Sequence, residues 1–144
     1  MPQQKLPHDH GQSYDYLLQE HMPKAESFDV VSELFRQLGD SSRIKIFWLL
    51  CHCEECVINI SALVEMSSPA VSHHLKLLKA NGLIVSRRSG KEVYYRAAQT
   101  EQVELLHQMI ERMVDISCPS SRRGGEPESQ ENQSRALPRG KEIL

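Results

Sequence analysis

Three cysteines lie within six residues near the middle of the chain: Cys51, Cys53 and Cys56. Thiolates are good ligands for zinc(II), cadmium(II), lead(II), copper(I) and trivalent arsenic, whereas magnesium and calcium prefer oxygen. Four cysteines in 144 residues, most of them clustered, do not resemble a disulfide framework and instead indicate metal or redox chemistry. We therefore predict a site for a thiophilic metal or metalloid ion at these three residues.

Other interpretations of the thiols remain open at this point. Cys51 follows an apolar run and could be an ordinary core residue, because free cysteine is among the most buried residue types. The thiols could also react with one another or with a persulfide, without a metal. Cys118 could add a ligand from its own or a partner subunit, form a reversible disulfide, or be an exposed thiol. Further ligands could come from histidines that more often are plain surface residues: His8, His10, His21 and His52.

The stretch from residue 67 to residue 96 has side chains suited to contact with a nucleic acid. Ser68 is predicted to cap a helix that begins at Pro69, where the missing N–H of proline has no partner to lose. Apolar residues at 71, 75 and 78 predict its buried face, and Asn81-Gly82 is predicted to end it. The opposite face carries small or hydrogen-bonding side chains that fit base edges and phosphates. DNA contacts are predicted at Ser68, Pro69, Ala70, Ser72, His73, His74 and Lys76.

A hairpin with a basic tip is predicted directly after this helix. Runs of β-branched and aromatic residues predict strands at 83–85 and 93–95, joined by a polar loop over 86–91. From residue 76 to residue 96 six residues are basic and one is acidic, although the whole chain has a formal net charge of −2. Such a basic island favours a focused contact with phosphates over a merely solvated face. The hairpin residues predicted to touch DNA are Arg87, Arg88 and Lys91.

The remaining helices are predicted from the spacing of apolar residues and from capping residues. They run over 13–21, 29–38, 42–50, 59–64 and 100–117, with Asn59 and Thr100 as caps of the last two. The helix over 42–50 is strongly apolar and should cross the core, and the polar segment 51–56 should end it. The last helix has more apolar surface than packing on one domain needs. This predicts a homodimer paired through that helix, the alternative being a wide stripe that faces its own core.

Composition and segment order set the class of protein. With 40% hydrophobic and 25% charged residues the chain resembles an ordinary globular protein. No apolar run approaches the ~18 residues of a membrane span, and the first residues lack the apolar core of a signal peptide, so we expect a cytoplasmic protein. A domain over 29–117 is expected between an N-terminal extension, 1–28, and a disordered tail, 118–144. No phosphate loop, nucleophile elbow or paired carboxylates are present, so we expect no enzyme.

The predicted order of elements is that of a winged helix-turn-helix, a mainly α fold with a β-hairpin wing. Four stretches resemble the ArsR/SmtB family of bacterial metal-responsive repressors: LGDSSR at 38–43, SPAVSHHL at 68–75, LLKANGLI at 77–84 and GKEVYYR at 90–96. The resemblance covers residues 29–117. It implies a dimeric repressor that binds operator DNA when empty and releases it when an inducer binds, usually a soft or borderline metal ion.

The resemblance also implies where an inducer would bind, and the sequence departs from the family there. The family's box Glu-Leu-Cys-Val-Cys-Asp-Leu matches residues 54–60, with Cys56 at the first cysteine but Ile58 at the second. The two upstream cysteines, Cys51 and Cys53, could compensate. A second family site on the last helix would fall on Gln99, Glu101, Arg112 and Asp115. Because an arginine cannot serve as a ligand, we expect that second site to be absent.

The sequence thus predicts a dimeric DNA-binding repressor that a thiophilic ion releases from its operator. In the predicted mechanism, coordination near the end of the second helix shifts the short helix that supports the recognition helix. This would change the spacing of the two recognition helices of the dimer, which must lie about one DNA turn, ~34 Å, apart. The alternatives are a thiol-redox or persulfide-responsive repressor, and a winged-helix DNA-binding protein with no inducer.

Overall fold

The computed structural model describes Pro7, His8, His10, Leu18 and residues 20–119. The chain divides into two compact units, Met1–Asp40 and Ser41–Leu144. The predicted helix over 13–21 lies mostly outside the described residues, and so does the predicted disordered tail. Within the described part of the chain, no helix is both long and apolar enough to cross a membrane.

The first unit contains helix α1, Ala25–Gln37. It begins four residues before the predicted start, because the N–H groups of Ser27 and Phe28 already bond to the carbonyl of Lys24. Glu33 accepts hydrogen bonds from Arg36 at 2.6 Å and from Gln37 at 2.7 Å, one turn further along the same face.

The second unit is built around helix α2, Ser41–His52, as predicted for the apolar helix that crosses the core. It packs against helices α3, Val57–Val64, α4, Ser68–Ala80, and α5, Glu101–Ser117. Tight burial of branched and aromatic side chains from these helices supplies the hydrophobic stabilisation of the unit. The largest fully buried side chains are Ile46, Phe47, Ile60, Val71, Leu75, Leu78, Leu83 and Ile84.

Two predicted boundaries around the cysteines are wrong. Helix α2 does not end at Leu50 but continues through His52, because the N–H of Cys53 still bonds to the carbonyl of Leu49 at 3.1 Å. Helix α3 begins at Val57 with Cys56 as its N-cap, so Asn59 lies inside the first turn. Its side-chain amide donates to Glu55 Oε2 at 2.8 Å instead of capping the helix. Polarity alone therefore does not mark where these helices end.

The hairpin forms part of a three-stranded antiparallel sheet, in which its second strand lies between its first strand and a short strand that precedes it in the chain. Strands β2, Ile84–Ser89, and β3, Glu92–Ala97, pair along their whole length. The predicted six-residue loop is therefore wrong, since only Gly90 and Lys91 lie outside the strands. Gly90 has φ +63°, the left-handed conformation that a two-residue hairpin turn needs. Strand β1, Glu55–Cys56, was not predicted and pairs with Tyr94 and Tyr95 of β3.

The caps of α4 and α5 lie at the two ends of the segment predicted to contact DNA. Ser67, not the predicted Ser68, caps α4, and its hydroxyl accepts from the N–H of Ala70 at 3.4 Å. The hydroxyl of Ser68 lies instead 3.2 Å from that of Ser61 on α3. The predicted cap of α5 is confirmed, because Thr100 Oγ1 accepts from the N–H of Val103 at 3.2 Å.

Candidate functional site

Helix α4 separates an apolar face from a polar one, as a recognition helix must. Val71, Leu75 and Leu78 are completely buried or nearly so. On the other side Ser72, His73 and Lys76 are exposed. Of the other predicted contacts, Ser68 and Pro69 are exposed in the first turn, whereas Ala70 and His74 are half-buried at the edge of the polar face. The polar face is thus free to enter a groove while the apolar face holds the helix in place.

The wing, β2 and β3 with their turn, holds the three predicted basic contacts in different ways. Arg88 and Lys91 are exposed near the tip. Arg87 donates from Nε to Glu54 Oε1 at 2.7 Å, and its guanidinium lies 4.9 Å from the centre of the Tyr94 ring. The hydrogen bond from Arg87 lowers the pKa of Glu54. Arg87 therefore ties the wing to the polar segment between the cysteines.

Cys51 and Cys53 lie at the end of α2 in surroundings that keep a thiol protonated. Burial and the negative charge of Glu111 raise the pKa of Cys51 to about 12. Burial and the charge of Glu55 raise the pKa of Cys53, whose Sγ lies 3.4 Å from the carbonyl oxygen of Leu49. Such thiols are poor nucleophiles at neutral pH. A thiophilic ion would have to displace their protons in order to bind.

The four cysteines occupy separate surroundings. Cys56 is buried at the N-terminus of α3, and Cys118 is exposed just after α5. Within the described residues, the group of ligand-type side chains whose donor atoms converge includes none of the cysteines. Three thiols within six residues are a donor set that suits a thiophilic ion.

Two contacts connect the cysteine segment to the wing. Strand β1 carries Cys56 and pairs directly with β3. Glu54 binds Arg87, as described, and its second oxygen lies 3.6 Å from Nε of Arg96. An open cleft of about 820 Å³ lies beside this junction, lined by residues 50–54, 96–101, 103, 104 and 107. A movement of residues 53–56 would therefore reach the wing through backbone pairing and through an ion pair.

Comparisons with known proteins identify the fold and the family. The model of the bacterial regulatory protein arsR family matches residues 40–86, from the start of α2 into β2. A homodimeric winged helix-turn-helix DNA-binding domain from Mycobacterium bovis, described as a possible ArsR-family transcriptional regulator, is 31% identical with a TM-score of 0.58. The alignment covers 73% of this chain and 89% of that domain. The chain belongs to the ArsR/SmtB family.

Two relatives of this ArsR/SmtB protein are named as repressors. The HTH-type transcriptional repressor SmtB of Mycobacterium tuberculosis is 41% identical over 76 residues, which are 53% of this chain and 56% of that protein. The arsenical resistance operon repressor of Escherichia coli is 39% identical over 71 residues, 49% of this chain and 61% of that protein. The chain thus spans less than two thirds of the length of either relative.

The structure also brings together a group that the sequence did not reveal. Within the described residues, the three ligand-type side chains whose donor atoms converge are His52, His107 and Glu111. The spacing of His107 and Glu111, four residues apart, puts both on one face of α5 and was visible in the sequence. The approach of His52 depends on how α2 packs on α5, which no local pattern encodes.

Proposed function

We propose that this chain is a dimeric transcriptional repressor that reads operator DNA with α4 and the wing and releases it when a thiophilic ion binds. The main observation that supports DNA binding is the exposed polar face of α4, with Ser72, His73 and Lys76. The opposite face of the helix is fully buried and fixes its position. The basic wing tip stands next to it in the fold and suits flanking phosphates. The names of the relatives, repressors among them, support the same function.

A second copy of this chain is the proposed occupant of an apolar stripe on α5. The side chains that face the core are Val103, Leu106 and Ile110, whereas a second row stays exposed: Leu105, Met109, Met113 and Ile116. Leu105 and Ile116, at the two ends of this row, are 63% and 69% exposed. The M. bovis domain of the same fold is homodimeric, which supports this occupant. The row gives each copy a self-complementary apolar face, as a two-fold interface requires.

Sedimentation velocity tests the dimer. Leu105→Glu with Met113→Glu should convert the protein to a monomer, because four carboxylates would have to be buried in the interface. Gln108→Glu adds charge on another flank of the same helix, roughly 100° around its axis from the middle of the row, and should leave the dimer intact. If the double variant sediments as the wild type does, the dimer uses another surface.

The proposed inducer ligands are Cys51, Cys53 and Cys56, with Cys118 as a further ligand from either subunit. Zinc(II), cadmium(II), lead(II), copper(I) and trivalent arsenic all suit this donor set. Closing the thiols around an ion would move Glu54 and β1, and with them Arg87 and β3. A coupling of ~1–3 kcal/mol between the two sites, typical of allosteric proteins, would lower DNA affinity about 5- to 150-fold.

The test is release from an operator, first recovered from a random DNA pool with the purified protein. The reduced protein on this DNA is titrated with Cd(II), Zn(II), Pb(II), Cu(I) and arsenite, and separately with oxidant and polysulfide. We expect at least one of the ions to release the wild-type protein from the DNA. The double variant Cys53→Ser with Cys56→Ser should no longer be released by that ion. Ile58→Ser is the matched control, because it adds a hydroxyl at an exposed position in the first turn of α3, two residues after Cys56, and should leave release unchanged.

Each other outcome of the titration would support a different function for the chain. Release by oxidant or polysulfide alone would make the chain a thiol-reactive repressor, although the raised pKa of Cys51 and Cys53 works against that chemistry. Binding that no agent reverses would leave a winged-helix protein without an inducer. If the double cysteine variant keeps its metal response, the thiolate hypothesis is wrong.

A further inference from the structure

We propose that His52, His107 and Glu111 form a separate metal site, which takes a borderline divalent ion such as zinc(II) through nitrogen and oxygen rather than sulfur. This site does not depend on the proposed release by thiolates, and it uses none of the four cysteines. It bridges the end of α2 and the middle of α5.

The distances between the donor atoms fit a small tetrahedral ion. The Nε2 atoms of His52 and His107 lie 3.0 Å apart, and Glu111 Oε1 lies 3.3 Å from the first and 3.4 Å from the second. On a tetrahedral zinc ion with bonds of about 2.0–2.1 Å, neighbouring ligand atoms lie about 3.3 Å apart. The three atoms therefore already span one face of such a tetrahedron.

The packing of two helices produces this arrangement. His107 and Glu111 project from one face of α5, one turn apart. His52 is the last residue of α2, and its ring lies 4.3 Å from the ring of Trp48 and 4.8 Å edge-on from the ring of His107. The aromatic contacts hold the His52 ring in place, with its Nε2 atom towards the other two donors.

An outer partner also orients the carboxylate. Trp48 Nε1 donates to Glu111 Oε1 at 2.8 Å, so Glu111 is fixed by a group that is not itself a ligand. Such outer hydrogen bonds accompany metal ligands in most protein sites. His52 is partly exposed, which leaves a solvent side where water could complete the coordination.

A hydrogen-bonded cluster without metal is the alternative that the experiment must separate. The distance of 3.0 Å between the two imidazole nitrogens also suits a single N–H···N hydrogen bond. In that case His52 and His107 would share one proton, and adding metal would change nothing at this place. Metal binding requires instead that both Nε2 atoms be free of protons.

The experiment uses the full-length protein with all four cysteines changed to serine, titrated with Co(II) and Zn(II). Trp48 is the single tryptophan of the chain and touches both His52 and Glu111, so its fluorescence reports binding there. We expect one Co(II) per chain, d–d absorption of a nitrogen and oxygen site, and a saturable change in Trp48 fluorescence. His52→Gln and His107→Gln should each weaken binding by at least the ~10- to 100-fold that loss of an outer-shell partner causes.

His21→Gln is the matched control, because it removes an exposed histidine outside the cluster and should leave the titration unchanged. If the cysteine-free variant fails to fold, the wild-type protein is used, and the histidine ¹⁵N shifts of His52 and His107 replace the absorption spectrum. A titration that His107→Gln leaves unchanged, or no ion bound without thiols, would overturn the proposal. If this site binds no metal but cadmium still releases the DNA, the proposed function stands. If this site binds metal but no thiophilic ion releases the DNA, only the proposed function is overturned.

Discussion

The proposed DNA-binding region, residues 68–97 (the reading head), and the proposed ion-binding region, residues 51–56 with His107 and Glu111 (the sensing end), are built on different principles. In the reading head the functional side chains come from a single helix and the hairpin that directly follows it. At the sensing end, His52 and His107 meet across 55 residues of sequence, and Glu54 binds Arg87 across 33. The first region is specified by local pattern and the second by the packing of distant segments.

Because of this difference, a single substitution should have different consequences in the two regions. Replacing one exposed residue of α4 should change a proposed DNA contact without moving its neighbours. Replacing one residue of the sensing end changes a contact between elements, because β1, Glu54 and His52 each touch a different part of the fold. The following predictions, ordered by the size of the expected effect, test whether the two regions behave in this way.

Alkylation of the thiols should show the largest effect. With a pKa of about 12 instead of 9.0, Cys51 has about 1,000-fold less thiolate at neutral pH than an unstructured cysteine. Its reaction with iodoacetamide should be slower in proportion, and its rate should rise about tenfold per pH unit until the pH approaches 12. Mass spectrometry of timed, quenched samples measures this, with urea-unfolded protein as the control. Glu111→Gln removes one cause of the raised pKa and should speed the reaction. An unchanged rate would contradict a contribution of the Glu111 charge to the pKa of Cys51.

A core change in the reading head should destabilise the whole unit. Leu75→Ala leaves a cavity under α4, since Leu75 is 1% exposed, and should reduce the free energy of unfolding by about 2–5 kcal/mol. Lys76→Ala, the next residue along but exposed, should leave stability within about 0.5 kcal/mol and weaken only DNA binding. Urea denaturation and DNA titration of both variants check the contrast. Equal stabilities for the two variants would contradict the packing described for α4.

The cap of α4 gives a smaller effect. Ser67→Ala should reduce stability by about 1 kcal/mol, because the N–H of Ala70 loses its acceptor. Ser68→Ala is the control, since Ser68 does not cap the helix and loses only a contact with Ser61. Thermal unfolding of the two variants compares them directly. A greater loss from Ser68→Ala would return the cap to the residue that the sequence predicted.

The smallest effect concerns the wing. Arg88→Ala should weaken binding on all DNA sequences alike and flatten the dependence of log K on log salt by about 0.9, the contribution of one phosphate contact. Arg87→Ala should flatten the slope less, because Arg87 already has Glu54 as its counter-charge. Titrations between 50 and 200 mM salt, roughly the range over which such effects are measured, compare the two variants. Identical slopes would mean that Arg87 leaves Glu54 when DNA binds.

Most of the fold could be predicted from the sequence, because α4 and the hairpin are specified by residues close to one another in the chain. The stripe at 71, 75 and 78, the turn at Gly82 and the cap at Thr100 are all confirmed. The errors occurred where two local signals compete or where pairing decides. Ser67 and Ser68 are equally good caps, and only the observed start of the helix selects between them. Strand β1 is two residues long and exists because β3 lies beside it, so the sequence of 55–56 alone could not reveal it.

The candidate site was harder to predict for the same reason. The three neighbouring cysteines were plain in the sequence, yet their places in the fold depend on the continuation of α2 to His52 and on the start of α3. His52 was named only as one of several possible further ligands, and its contacts with Trp48 and His107 could not be read from the sequence. The DNA and metal residues predicted from sequence remain predictions until the variants above are measured.

The short strand β1 has a consequence for how such a protein could be re-engineered. It joins the cysteine segment to the wing through main-chain hydrogen bonds, which any residue except proline can donate. The side chains of the proposed ligands at 51, 53 and 56 can therefore be exchanged to suit a different ion, while the backbone pairing and Glu54 still join this segment to the wing. On the proposed function, a library randomised at 51, 53 and 56, with Glu54 and residues 68–97 left untouched, should yield biosensors that share one operator and differ in the ion they report.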